Sequence, residues 1–237
     1  MKTKLVTYED QDAILEGFLA YDSKSEMKSP GVILCHAWSG RDAFVCEKAK
    51  EIAQWGYTVF ALDLYGKGVL GKNKEENIAL MTPFIMDRNF LRKRLNSSLD
   101  AFRQHAEVDN QKIAVLGFCF GGLCALDFAR SGADVKGVVS IHGLLVPAKK
   151  IKSQPIKAKV LALHGYDDPM VPPKEVLSFA QEMTKAKADW QVHMYGNTMH
   201  AFTNPSANDP SLGTLYNPTA DKRAWQLIRS FLAECFT

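Results

Sequence analysis

The sequence lacks most of the features that would place a protein by composition alone. No apolar run approaches the roughly 18 residues a bilayer-spanning helix needs, so a membrane partner is not expected. No Cys-x-x-Cys or His-x-x-x-His pair is present to seed a zinc site, and no metal is expected. There is no internal repeat, low-complexity tract or Gly/Ser-rich linker, so one domain over 1–237 is expected. Neither charge dominates: 29 Lys and Arg stand against 26 Asp and Glu, a net +3, too balanced for a nucleic-acid partner. The segment from Met1 to Asp10 has no long apolar core after its lysines, which predicts the absence of a secretory signal. Without one, the odd count of five cysteines predicts free thiols and the reducing cytoplasm.

What is present is ordinary in amount and ordered in pattern. With 237 residues, 46% hydrophobic and 23% charged, the composition is that of a soluble globular protein. A domain of this length buries about 70% of the surface its unfolded chain exposes, and needs no metal or disulfide to stand. Residues 3–8 and 13–20 alternate with period two and predict an entry hairpin; 22–30 is polar and turn-like. Short continuous apolar runs at 31–36, 57–62 and 112–117 predict strands buried on both faces, with further strands at 135–141, 159–163 and 189–195. Helical patterns intervene at 42–55, 73–106 (two helices broken near Pro83), 123–130, 174–187 and 220–235. Strands alternating with helices predict a mostly parallel twisted sheet of about eight strands with helices on both faces. Ligands of such sheets lie at the carboxyl ends of the strands.

The strand ends carry the chemistry. Gly117-Phe118-Cys119-Phe120-Gly121 follows the third buried strand as G-x-C-x-G. This is the nucleophile-elbow pattern with cysteine where serine usually stands; glycines flank it because the tight strand-to-helix turn leaves no room for side chains. The N-terminus of the following helix favours the thiolate of Cys119. Cys35, Cys46, Cys124 and Cys235 read as structural thiols. The elbow predicts an order of nucleophile, acid, histidine. Asp167 and Asp168 both lie in a loop just past a strand, and His200 lies in the loop after the last strand. His142 follows a strand and is a pocket candidate, whereas His164 reads as structural and His105 and His193 as surface positions. The loop after the first buried strand supplies the second oxyanion donor in such folds, which nominates the backbone N–H groups of Phe120 and Ala37.

These residues resemble the dienelactone hydrolase family of α/β-hydrolases from Val32 to about Phe202. The likeness is carried by His36-Ala-Trp-Ser-Gly-Arg-Asp, by Gly56 through Asp63-Leu-Tyr65-Gly66, by the elbow itself, by Asp168-Pro-Met-Val-Pro172 and by His200-Ala-Phe202. The resemblance implies a Cys119–His200–Asp168 triad, since the family's acid is the aspartate of Asp-x-x-Val-Pro and its base the histidine of His-x-Phe. It implies hydrolysis of a small ester or enol lactone through a thioester, with no cofactor. Two positions depart from the best-known members. His36 stands where they place a glutamate that helps form the thiolate, and Asn204 where an arginine helps hold the substrate carboxylate. His36, Trp38, Tyr65, Phe120 and Phe202 are candidates for the pocket wall.

Two other readings compete. Gly66-Lys-Gly68-Val-Leu-Gly71 matches G-x-G-x-x-G, but it opens no helix directly and has no acid at a strand end about 20 residues on, so a loop near the pocket is expected rather than a dinucleotide site. A redox-responsive thiol on the same fold would use the reactivity of Cys119 without acyl transfer. The basic run Arg88, Arg92, Lys93 and Arg94 is expected to be a solvated helix face.

Overall fold

The computed structural model describes residues 1–22, 27–149 and 151–237; the middle of the turn expected over 22–30, residues 23–26, lies outside the described residues. The chain falls into two compact units, Met1–Val115 and Leu116–Thr237. The division lies inside a strand rather than in a linker, which is why composition carries no trace of it.

The first unit opens with the expected hairpin, β1 (Lys2–Asp10) and β2 (Ala13–Tyr21), paired antiparallel. It continues with β3 (Ser29–Cys35), α1 (Ala43–Ala53), β4 (Thr58–Ala61), α2 (Lys74–Met86) and α3 (Arg88–Arg103). β3 and β4 pair in parallel and are almost wholly buried, as continuous apolar runs require. α1 begins at Asp42, whose carboxylate accepts the Val45 N–H at 3.2 Å, and buries Val45, Ala49, Ile52 and Ala53.

The long helical stretch breaks at Asp87, not near Pro83. Asp87 takes an extended conformation and caps α3 by accepting from Asn89 and Phe90 N–H at 3.0 and 2.9 Å. Pro83 is accommodated inside α2, one turn before its end. A cap that satisfies two orphan donors sets this boundary more firmly than one missing donor does.

The expectation of a solvated basic face on α3 is also corrected. Arg88 and Arg94 are buried. The Arg94 guanidinium donates to the Asp10 carboxylate at 2.6 Å and to the Leu64 carbonyl at 2.7 Å, and Ser97 adds a bond to Asp10 at 2.8 Å. β1 and α3 are thereby tied by a buried ion pair.

The strand β5 (Val108–Phe118) runs from the first unit into the second, followed by α4 (Phe120–Arg130), β6 (Gly137–Ile141), β7 (Lys159–Gly165), α5 (Pro173–Lys185), β8 (Trp190–Tyr195), the short pair β9 (Asn208–Asp209) and β10 (Thr214–Leu215), and α6 (Pro218–Phe236). β6, β7 and β8 pair in parallel. Among the described residues the main sheet has eight strands in the order β1-β2-β4-β3-β5-β6-β7-β8. No helix among the described residues is long and apolar enough to cross a membrane.

Candidate active site

The turn at Cys119 is built by its neighbours. Cys119 has φ 56° and ψ −116°, a left-handed backbone that L side chains rarely adopt. Its N–H donates to the Ile141 carbonyl at the end of β6, 3.0 Å away, and its own carbonyl accepts from Gly122 N–H at 2.9 Å as α4 begins. A Cβ on Gly117 would run into the backbone carbonyl of Gly121. A Cβ on Gly122 would meet Gly143 Cα at 2.6 Å and Ser140 Oγ at 2.7 Å. The glycine spacing is thus imposed by a helix start pressed against two strands. Cys119 remains partly exposed. Burial instead pushes the Cys35, Cys46 and Cys235 thiols up, Cys235 to about 12, which holds them protonated.

β7 ends at Gly165, and the next turn separates two adjacent aspartates. Asp167 is exposed and Asp168 is buried. The Asp168 carboxylate accepts from Met170 N–H at 2.9 Å and from His200 Nδ1–H at 2.7 Å. The loop that carries His200 is anchored on three sides. His200 N–H donates to the Gly213 carbonyl at 2.9 Å, and its carbonyl accepts from Leu215 N–H at 3.0 Å. Asn217, the cap of α6, donates from its side chain to Thr198 Oγ1 at 3.1 Å. Gly213, with φ +79°, lies so close to Pro169 that a Cβ there would collide with the proline ring. The base loop and the residue after the acid are therefore in direct contact.

The bond to Asp168 fixes a proton on Nδ1 of His200. Nε2 of His200 makes no well-formed hydrogen bond. Burial works against the His200 cation. The influences of Cys119, first among them, and of the hydrogen-bonded Asp168 carboxylate outweigh it, and His200 is pushed up to about 10.

Two further histidines lie nearby. Burial holds His164 below the ordinary range, and the charge of His200 adds to the effect. His142 follows β6 and is buried; burial and then the His200 charge hold it well below the ordinary imidazole range. Its ring packs edge-on against those of His200 and Phe202, with centroids 5.2 and 5.3 Å apart. Phe120 and Phe202 are wholly buried, and Phe120 opens α4. Thr203, buried and bonded to His142 Nε2 at 2.9 Å, has no signal in the sequence beyond its place three residues after His200.

The remaining candidates belong to the first unit. His36 ends the apolar run of β3, with Nδ1 donating to the Ala37 carbonyl at 2.6 Å and Nε2 accepting from Leu64 N–H at 3.3 Å. Both ring nitrogens are used, so His36 is a neutral strut rather than a titrating acid; burial draws it below the ordinary range. Ala37 and Gly40 close a turn, and Tyr65 donates its hydroxyl to the Trp38 carbonyl at 2.9 Å. The glycine-rich loop 66–71 leads to α2 only through Asn73, the cap at which that helix starts. Asn204 is a turn residue that accepts from Ser206 N–H at 3.0 Å. Among the described residues no group of three or more His, Cys, Asp or Glu is placed to hold a metal ion.

The mostly parallel sheet, its flanking helices and the strained strand-to-helix turn define an α/β-hydrolase fold. The chain belongs to the dienelactone hydrolase family, whose sequence model matches residues 15–236, and it is a hydrolase of that family. The Caenorhabditis elegans protein "Uncharacterized protein K02A2.1" is 38% identical over 154 residues, 63% of this chain and 98% of its own. The solved structure "m3DLH" superposes with a TM-score of 0.93 at 33% identity, covering 100% of this chain and 99% of the other. A dienelactone hydrolase-like promiscuous phosphotriesterase, P91, from metagenomic libraries superposes with a TM-score of 0.95 at 31% identity, again covering 100% and 99%.

Proposed function

We propose that the protein hydrolyses a small ester or enol lactone through a Cys119–His200–Asp168 triad and a thioester acyl-enzyme. The observation that carries this reading is the pairing of Asp168 with Nδ1 of His200 at 2.7 Å, beside a Cys119 on a strained elbow whose influence raises His200. Cys119 passes its proton to Nε2 and attacks the carbonyl carbon; the C–O π electrons move to oxygen. The backbone N–H of Phe120, next to the nucleophile, is the proposed donor to that oxyanion. Collapse expels the alkoxide, which takes the proton from His200.

The electrostatics support this order of events. The charge on Cys119 is the first of the influences that raise His200, and acylation removes it. The imidazolium then becomes a stronger acid as the alkoxide leaves. The neutral ring that results serves as base for the water that hydrolyses the thioester. Asp168 holds the ring and its charge throughout. Amides are poor substrates on this scheme, because thiolate leaves the tetrahedral intermediate more readily than an amine does.

The test is turnover of p-nitrophenyl acetate and of a simple enol lactone by the parent, Cys119→Ala and Cys119→Ser. Turnover by the parent and loss of at least about 10³-fold in Cys119→Ala is expected for removal of a nucleophile. Undiminished turnover in Cys119→Ala would overturn the mechanism. Stoichiometric alkylation of Cys119 without hydrolysis of either substrate would favour a redox-responsive thiol instead. The likeness to P91 favours one further substrate, an activated phosphotriester, attacked by the same thiol at phosphorus; paraoxon is the probe.

A further inference from the structure

We propose that His142 is a positioning residue that sets the spacing of Cys119 and His200, through its bond to Thr203 and the contact of its ring with His200. This rests on the hydrolase reading of that site. The end of β6 touches both partners of the proposed proton transfer. The carbonyl of Ile141 holds the Cys119 N–H at 3.0 Å, and the very next residue reaches the loop of the base. His142 Nε2 is 2.9 Å from Thr203 Oγ1, and its ring meets the His200 ring edge-on at 5.2 Å. One peptide unit thus connects the backbone of the thiol to the ring of the base.

The residue type fits this task better than it fits core filling. His142 is buried, yet its backbone has φ 38°, a left-handed conformation that is costly for a side-chain-bearing residue and clusters at functional sites. Its N–H is held by the Leu163 carbonyl at 2.8 Å, and Gly143 behind it is pressed against Ser140 and Gly122. The ring therefore cannot retreat. Nδ1 has no well-formed partner, so the ring's one side-chain hydrogen bond is the one between Nε2 and Thr203 Oγ1. A phenylalanine would fill the same space but could not make that hydrogen bond. The ring must also be uncharged, since a second cation beside His200 would drive its proton off, and burial keeps it so.

The experiment compares the parent with Thr203→Val, His142→Phe and His142→Gln by three readouts: the iodoacetamide alkylation rate of Cys119, the titration of the His200 imidazole by NMR, and kcat and KM on p-nitrophenyl acetate. Melting temperatures confirm that each variant is folded; if His142→Phe is not, the near-isosteric Thr203→Val carries the test. With the base loop untied, His200 moves off the sulfur. Its titration falls from about 10 toward the ordinary 6.5, alkylation slows, and kcat drops at least tenfold with KM within twofold. His142→Gln, whose amide can still hydrogen-bond Thr203, recovers most of the loss. A folded Thr203→Val with the parent's His200 titration and alkylation rate would overturn the proposal. Alkylation and titration do not depend on any substrate. If the parent hydrolyses no ester, the hydrolase reading fails while these two readouts still decide the role of His142.

Discussion

The His200 ring is pulled in two directions, and the direction that wins has a measurable consequence. Burial disfavours its charge, but Cys119 and Asp168 raise it from 6.5 to about 10. A group raised in the folded state contributes stability that is complete below its unfolded value and is lost as pH rises through its folded value. The parent should therefore hold a margin of thermal stability over His200→Gln at pH 6 that shrinks between pH 7 and 10.5. A margin constant across that window in thermal melts would contradict the assignment. Of the residues behind this balance, Cys119 stands out by a local spacing with a local cause, G-x-C-x-G, whereas Asp-x-x-Val-Pro and His-x-Phe carry meaning only through the family resemblance. The choice of Asp168 over Asp167 came from family likeness, because both lie past the same strand and only the folded turn buries one. Thr203 was not legible, since its value comes from meeting His142, 61 positions away.

At the scale of elements, the elbow and the helix boundaries show what sequence spacing can and cannot settle. The elbow depends on contact between two glycines four residues apart, which is local information. Gly117→Ala would force its methyl group into the Gly121 carbonyl, and a loss of about 3 kcal/mol in urea denaturation is expected from such overpacking. A loss under about 0.5 kcal/mol would show that the turn relaxes freely. The α2–α3 break illustrates the opposite case. Pro83 is the conspicuous breaker in the sequence, yet Asp87 ends one helix and caps the next. Asp87→Ala is expected to cost about 1 kcal/mol, the ordinary worth of an N-cap. Near-wild-type unfolding of that variant would place the boundary's cause elsewhere.

For the whole molecule, the sheet follows from the alternation of buried apolar runs with amphipathic helices, and that alternation is plain in the sequence. The buried charges are not. Arg94 lies in a run of basic residues that reads as a wet helix face, and only the packing of α3 on β1 brings it to Asp10, 84 positions away. Taking one partner from a buried ion pair leaves the other charge unpaired in a medium that solvates it poorly. Asp10→Asn should therefore cost about 3–5 kcal/mol in chemical denaturation, while Asp10→Leu combined with Arg94→Met should come out closer to neutral. Equal losses in the single and double variants would mean that the pair contributes through packing alone.

The central claim is a covalent one, and mass spectrometry tests it directly. Parent enzyme mixed with p-nitrophenyl acetate and quenched in acid within the first turnover should carry one acetyl group, mapped by peptide analysis to Cys119. The adduct should be absent from Cys119→Ala and should form far more slowly in His200→Gln supplied with the same ester, since acylation and deacylation both use the base. An acetyl group on another residue, or full turnover with Cys119 unmodified at every quench time, would contradict the account.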